Sequence, residues 1–264
     1  MRKTILITGA TSGIGRATAI ALAQMGHKVY ATGHTDARVA EMNAFLKDNP
    51  LAIESFRLDI TLEEDRKKIH DYAIDVLINN AGMGESGSLA EIPMERLRAN
   101  FETNVFGTIA LTQEVMKQMI PRNSGRVVII SSLAGRSPRP FLGSYSMSKY
   151  SLSAAADILR QEIKYISDKI HVSVVEPGSY HTGYNQRMMA KKYEWMGPGT
   201  SWFWDVKDRI EKMEGKMFKE TEYKSLDSIV RKIVRSALAP HPRLRFVAPW
   251  WEGFVVQVMR MMGK

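Results

Sequence analysis

An apolar strand that breaks into a glycine turn and resumes as a helix leaves a chain few folds to choose from, and residues 4–26 have that form. Thr4-Ile5-Leu6-Ile7 is β-rich, Thr8-Gly9-Ala10-Thr11-Ser12-Gly13-Ile14-Gly15 follows, and a helical pattern runs through Ala17, Ile20, Ala21 and Leu22 to a stop at Gly26. Glycines in that position let the backbone pass close to a phosphate, while the helix N-terminus adds free N–H groups and positive potential. The spacing, Gly-x-x-x-Gly-x-Gly, differs from the commoner Gly-x-Gly-x-x-Gly of dinucleotide sites. The turn is expected to hold a pyrophosphate.

The alternation continues. Apolar runs at 28–32, 53–58, 75–78, 127–130, 170–175 and 244–247 read as strands, with helical patterns at 39–46, 97–119, 145–165 and 226–238 between them. No repeat, low-complexity tract or linker interrupts the order. It predicts one α/β domain over 1–264, a Rossmann-like, doubly wound parallel sheet with helices on both faces. Ligands of such sheets lie at the carboxyl ends of the strands, and the residues there are informative. The second strand ends in Gly33-His34, with Arg38 a turn further on, where an NAD site usually carries an acid for the ribose hydroxyls; its absence favours NADP(H) over NAD(H), and the nearby Asp36 keeps NAD open. The third ends at Asp59-Ile60, a crevice carboxylate or a cap for the segment after Thr61. The fourth ends in Asn79-Asn80-Ala81-Gly82, amides beside small residues that let a ligand reach the backbone. Asn104 stands inside a helical pattern, where asparagine is a poor helix former, so a buried role and a plain surface residue both remain open.

The chemistry concentrates after the fifth strand. Tyr145 and Lys149 are four apart and share a helix face, and Ser132 closes the preceding strand thirteen residues before the tyrosine. A phenol ionises near pH ~10. An ammonium about 4 Å away contributes roughly 4 kcal/mol at an effective dielectric of about 20, or about three pKa units as an upper figure, enough to bring a tyrosine near working pH. Tyr165 and Lys169 repeat the spacing, but thirteen residues before Tyr165 stands Leu152, which has no chemistry. Ser132 with Tyr145 and Lys149 is therefore the expected reaction centre.

Composition narrows the rest. With no cysteine there is no disulfide or thiolate metal site, and the six histidines lack metal-ligand spacing. A signal peptide and a membrane span are not expected, and a cytoplasmic, reducing setting fits. The net charge of +9 comes from basic residues interleaved with acids, so nucleic acid is not the expected partner; an anionic, phosphate-bearing ligand is the more specific one. The stretch 179–222 breaks the rhythm with Tyr180, Tyr184, Met188, Met189, Tyr193, Trp195, Met196, Trp202, Phe203, Trp204, Met213 and Met217. It is expected to be a substrate lid whose apolar wall, with Tyr184 and Met188, suits a small lipophilic molecule; a helical pair packed by its own core is the alternative. The amphipathic segment 249–264 is too short to span a bilayer and could rest on a membrane surface, cover the pocket or form a subunit contact.

Taken together these motifs resemble the short-chain dehydrogenase/reductase family over about residues 4–182. Thr8, Gly9, Thr11, Ser12, Gly13, Ile14 and Gly15 resemble its cofactor glycine motif, Asp59 with Ile60 its adenine-side acidic position, and Asn80, Ala81 and Gly82 its Asn-Asn-Ala-Gly strand end. Asn104, Ser132, Tyr145 and Lys149 match its catalytic tetrad, and Pro177, Gly178 and Thr182 its nicotinamide-side loop. The resemblance implies an NAD(P)-dependent oxidoreductase in which Tyr145 exchanges a proton with a carbonyl or alcohol oxygen, Ser132 bonds the same oxygen, Lys149 lowers the phenol's pKa and holds the ribose, and Asn104 positions a water. It implies a homodimer or homotetramer, and 174–182 is most similar to the steroid and retinoid branch. Ser12 stands where many NADP users carry a basic residue. Alternatives are a non-catalytic NAD(P)-binding redox sensor, an NAD-preferring dehydrogenase of small alcohols, and a sugar-nucleotide epimerase or dehydratase, for whose larger substrate domain the chain has little room.

Overall fold

Strands buried on both faces read as continuous apolar runs, and their period of two sends alternate residues to opposite sides. The computed structural model describes residues 1–263, apart from the side chains of 217–221, so Met217 and Lys264 lie outside the described parts. Ile5, Ile7, Val29, Ala31, Val76, Ile78, Val128 and Ile130 form one core with Ala19, Leu22, Ile229 and Ile233. Leu6, Leu77, Val127, Ile129, Val172 and Val174 form the other with Leu111, Val115, Leu152 and Ala156. Two helical layers therefore sandwich one sheet.

The strands are β1 (Thr4–Ile7), β2 (Lys28–Gly33), β3 (Ile53–Arg57), β4 (Val76–Asn79), β5 (Gly125–Ile130), β6 (Ile170–Pro177) and β7 (Arg245–Ala248). All pair in parallel, in the order β3-β2-β1-β4-β5-β6-β7. The chain winds outward from β1 to β3, then crosses back to β4, so β1 and β4 diverge at their carboxyl ends into a crevice. The first helices are α1 (Gly13–Gln24), α2 (Asp36–Asp48) and α3 (Glu63–Lys67).

Some boundaries differ from the sequence reading. The long pattern at 97–119 is two helices, α4 (Met94–Phe101) and α5 (Thr108–Met119), joined by a π-turn over Glu102–Gly107 that contains Asn104. β6 continues through Glu176 and Pro177, because these residues pair with Val247 and Ala248 of β7. The helix that carries Tyr145 and Lys149 is α6 (Gly143–Ile163).

Between β6 and β7 the insertion forms α7 (Tyr184–Lys191), α8 (Lys207–Thr221) and α9 (Asp227–Leu238). Lys192 is fully buried just after α7 and reaches Glu214 of α8 at 2.5 Å. Breaking one side of such a pair strands a buried charge, so it ties the two helices together. The insertion seats on the loop after β4: Ser86 Oγ donates to the Met188 carbonyl at 2.6 Å. The Trp195 ring lies over Gly87, leaving no room for a β-carbon there.

The tail is α10 (Trp250–Met261), packed on β7 through Gly253 and Val256, with Trp250, Phe254, Met261 and Met262 exposed. Among the described residues no helix is long and apolar enough to cross a membrane. Its inner face carries Glu252, whose carboxylate lies against Gly178 and whose Oε1 is buried with no hydrogen-bond partner. Burial pushes this carboxyl up to about 7, with Arg139 opposing. The folded state then holds a proton that the unfolded chain has lost, so stability falls as pH rises from about 4.5 to about 7 and is flat above. Glu252→Gln is expected to match the parent at pH 4 and exceed it by about 1–2 kcal/mol at pH 8. Urea melts at both pH values check this, and a constant offset between the two proteins would contradict it.

Candidate active site

The crevice between β1 and β4 is held by a side-chain clasp. Thr8 Oγ1 accepts from the backbone N–H groups of Asn80 and Ala81 at 3.0 and 2.9 Å. In return Asn80 Nδ2 donates to the carbonyls of Thr8 and Gly9 at 2.9 and 3.0 Å. The turn has no space for larger residues. A β-carbon on Gly9 (φ +61°) would lie 2.9 Å from Ala81 Cα, and one on Gly15 2.5 Å from Asn80 Nδ2. Ser12 caps α1 in an extended conformation with its own side chain uncommitted, and the first turn carries no acid. Free N–H groups and a positive helix end are left facing the crevice.

A cleft of about 540 Å³ opens there. Its walls include Gly9, Thr11, Ser12, Gly13, Ile14, Gly15, His34, Asp59, Ile60, Asn80, Ala81, Gly82, Ser132, Tyr145, Lys149, Pro177, Gly178, Thr182, Tyr184 and Met188. Two predicted residues, Thr8 and Asn104, stand behind the wall and shape it. Asp59 lines the cleft, and its Oδ1 accepts from Thr61 N and Thr61 Oγ1 at 3.0 and 2.7 Å; it is not the cap of α3, whose N-cap position is Leu62 with no side-chain cap bond.

Asn104 is fully buried. Its Oδ1 accepts from Met83 N at 2.7 Å, and its Nδ2 donates to Met83 O and Ser148 Oγ, each at 2.9 Å. The amide thus ties the strand following β4 to α6. A π-turn suits this task because its extra residue re-aims one side chain within an otherwise regular helix.

Ser132 leaves β5 as the cap of a short turn, accepting from Ala134 N at 3.1 Å. Tyr145 stands with Ser132 and Tyr184 at the cleft wall, its ring centroid 6.1 Å from that of Tyr184, and both neighbours act on its hydroxyl. Lys149 is buried, donates from Nζ to the Ile130 carbonyl at 3.0 Å, and lies 5.6 Å from the Tyr145 ring centroid. The sequence reading had the ammonium pulling the phenol down. Here burial dominates and raises Tyr145, with the Ser132 and Tyr184 hydrogen bonds opposing. The ammonium sits over the ring face and itself suffers from burial, which brings Lys149 down to about 8.

Sequence reasoning did not assign Met83, Gly84, Thr103, Arg187 or Lys191, all of which line the cleft. The spacing of Tyr184, Arg187, Met188 and Lys191 is that of one helix face and could have suggested Arg187 and Lys191. Of the aromatic and methionine residues in the insertion, Tyr180, Tyr184 and Met188 reach the cleft. Met196 is buried elsewhere, Phe203 meets Phe141 edge-on at 5.4 Å, and Trp202 is exposed. Among the described residues no group of His, Asp and Glu could hold a metal.

A family model described as short chain dehydrogenase matches residues 3–193. The chain belongs to that family. It is an NAD(P)-dependent oxidoreductase, and the turn fits the dinucleotide: the uncommitted α1 terminus, with no acid in its first turn, offers the free N–H groups and positive potential that a pyrophosphate needs. The chain is 32% identical over 195 residues to the uncharacterized oxidoreductase YbbO of Escherichia coli (strain K12), covering 71% of this chain and 70% of that protein. It is 33% identical over 183 residues to a 3-ketodihydrosphingosine reductase of Bacteroides thetaiotaomicron, covering 68% and 65%. It is 30% identical over 203 residues to 17-beta-hydroxysteroid dehydrogenase type 1 of Homo sapiens, covering 73% and 61%. A solved short-chain dehydrogenase from Streptomyces avermitilis superposes with a TM-score of 0.78 at 26% identity, covering 99% of this chain and 95% of that one.

The buried lysine carries a stability cost. The folded state sheds the Lys149 proton near pH 8 while the unfolded chain keeps it to about 10.5, so below pH 8 the trapped ammonium destabilises the fold and the penalty fades as pH rises through that window. Lys149→Met is expected to stabilise the ligand-free protein at pH 7 by about 1–3 kcal/mol, the low end reflecting the orphaned Ile130 carbonyl. Thermal melts at pH 7 and pH 10 test it; a less stable variant at pH 7 would refute it.

Proposed function

We propose that the protein interconverts a ketone and a secondary alcohol on a small lipophilic substrate, with NADP(H) preferred, and that Ser132, Tyr145, Lys149 and Asn104 form its catalytic group. The carrying observation is Ser132 and Tyr145 together at the cleft wall with Lys149 buried beside them, its Nζ 5.6 Å from the Tyr145 ring centroid. When bound, the nicotinamide supplies or accepts the hydride. Tyr145 gives the carbonyl oxygen its proton, and Ser132 donates a second hydrogen bond to the same oxygen. Burial keeps the phenol protonated at neutral pH, which suits reduction. Gly82 leaves room between Asn104 and Lys149: a β-carbon there would lie 3.3 Å from Asn104 Oδ1 and 3.7 Å from Lys149 Nζ.

His34 and Arg38 at the adenosine end, with no acid at the β2 terminus, support the NADP preference. Met83, Met188 and Tyr184 near the reaction centre support an apolar substrate. So do the names of the sphingoid and steroid relatives. The insertion 179–222 would act as the lid and 249–264 as its brace, through Glu252 against Gly178. Exposed Phe106, Met147, Tyr150 and Ile158 on the α5 and α6 side support a homodimer or homotetramer contact, and a chain without cysteine suits a cytoplasmic setting.

Tyr145→Phe is expected to lower turnover by about 10³-fold or more while NADPH affinity changes less than about twofold, since only the proton donor is lost. Near-normal turnover would end the mechanism, and turnover absent from the parent against every ketone tried would point to the redox-sensor reading. His34→Asp should move the fluorescence-titrated preference from NADPH toward NADH by about tenfold. An unchanged ratio would remove His34 from the cofactor site.

A further inference from the structure

The cleft-facing side of α7 carries Tyr184, Arg187, Met188 and Lys191. Tyr184 packs beside Tyr145, ring centroids 6.1 Å apart, and Met188 is buried against Gly84. Lys191 has Glu194 nearby, itself paired with Arg96 at 2.6 Å. Elsewhere on the insertion, Lys192 is held by Glu214 and Lys207 lies 3.7 Å from Glu211. Arg187 differs: among the described residues, no hydrogen bond or ion pair engages its guanidinium.

The direction of that side chain is informative. Arg187 Nη1 lies 2.8 Å from the point a β-carbon on Gly183 would occupy, so the side chain folds back over the start of α7. Gly183 has φ +72°, where the missing side chain both permits the backbone and leaves room for the guanidinium. One residue earlier, Thr182 Cβ lies 3.4 Å from the corresponding point on Gly13, the first residue of α1. An unpaired cation is thus folded toward the place where the insertion meets the phosphate-facing end of α1. Both sides of this part of the cleft present donors and positive potential, and a bridging anion would satisfy both at once.

We propose that Arg187 is a lid-borne ligand for the pyrophosphate of the bound dinucleotide, so that α1 holds the phosphates from one side and α7 clamps them from the other. The inference rests on reading the cleft as the dinucleotide site. It adds that capturing the phosphates and placing Tyr184 beside Tyr145 are one movement, because Arg187 and Tyr184 ride on the same rigid helix. A carboxylate or phosphate on the substrate offers the same chemistry from a different source.

Calorimetric titration of the full chain with two fragments separates these. ADP-ribose 2′-phosphate contains the pyrophosphate but no nicotinamide, and adenosine 2′-monophosphate lacks the pyrophosphate. Arg187→Ala is expected to weaken the first by about tenfold and leave the second within about twofold, with Arg187→Lys recovering part of the loss. The ligand-free melting temperature should not move, since the side chain is exposed and unpaired. Unchanged affinity for ADP-ribose 2′-phosphate would overturn the proposal, and a raised KM for an anionic ketone alongside it would assign Arg187 to the substrate. Equal weakening of both fragments would also overturn it. If the parent protein bound neither fragment, the dinucleotide reading itself would fall and the inference with it.

Discussion

Everything in the cleft depends on tying the chain that leaves β1 to the chain that leaves β4 just beyond their paired lengths. Thr8 and Asn80 do this with polar groups that would otherwise be orphaned at the strand ends. Their bonds cross the gap between neighbouring parallel strands whose chains leave in opposite directions. Because Asn80 and Ala81 donate all four bonds and Thr8 and Gly9 accept all four, from backbone and side chain alike, the clasp has one geometry, and the glycine turn inherits it. Side chains at Gly9 or Gly15 would collide with the clasp itself. The small residues therefore answer to internal packing as much as to a ligand.

The surroundings of Lys149 extend this logic to charge. Lys149 is buried with its ammonium on the Ile130 carbonyl, while its own carbonyl accepts from Ser131 Oγ at 2.8 Å. Ser131 meets Ser153 at 2.9 Å, and Ser153 donates to the buried Glu176 at 3.3 Å, which Arg245 approaches at 2.6 Å. A polar seam thus runs from the β7 edge to the cleft wall beneath an otherwise apolar core. It keeps a costly cation in a fixed place, and a buried network of this kind trades stability for position. The Tyr145 phenol, raised by the same burial, retains its proton until something in the cleft takes it.

The insertion completes the cleft rather than merely covering it. Its helix α7 brings Tyr184 to the phenol and Arg187 to the mouth, and the Lys192–Glu214 pair stiffens the joint behind them. α10 braces the opposite wall, where Glu252 lies against Gly178. Two segments far apart from the glycine turn in sequence thus decide how much room a substrate has.

Much of this was legible in the sequence, for a physical reason. Strand and helix periodicities are local, so the alternation of elements and the doubly wound sheet followed from apolar spacing, and the glycine turn and the Tyr145–Lys149 pair followed from short-range geometry. What lay beyond reach were quantities that depend on neighbours distant in sequence. Asn104 could not be told from a surface residue until the π-turn set it against Met83 and Ser148. The phenol's direction of shift reversed because burial, which spacing does not report, outweighs a lysine placed over the ring. The aromatic residues of 179–222 were counted together as a wall, yet tertiary packing sent Trp195 to Gly87 and Phe203 to Phe141 and left Tyr180, Tyr184 and Met188 for the cleft. Sequence by itself determined the fold and the pairing of Tyr145 with Lys149 on one helix face, since both are written in local spacing; tertiary structure alone decided protonation, enclosure and which cation faces the cleft, since these are sums over groups that only folding brings together.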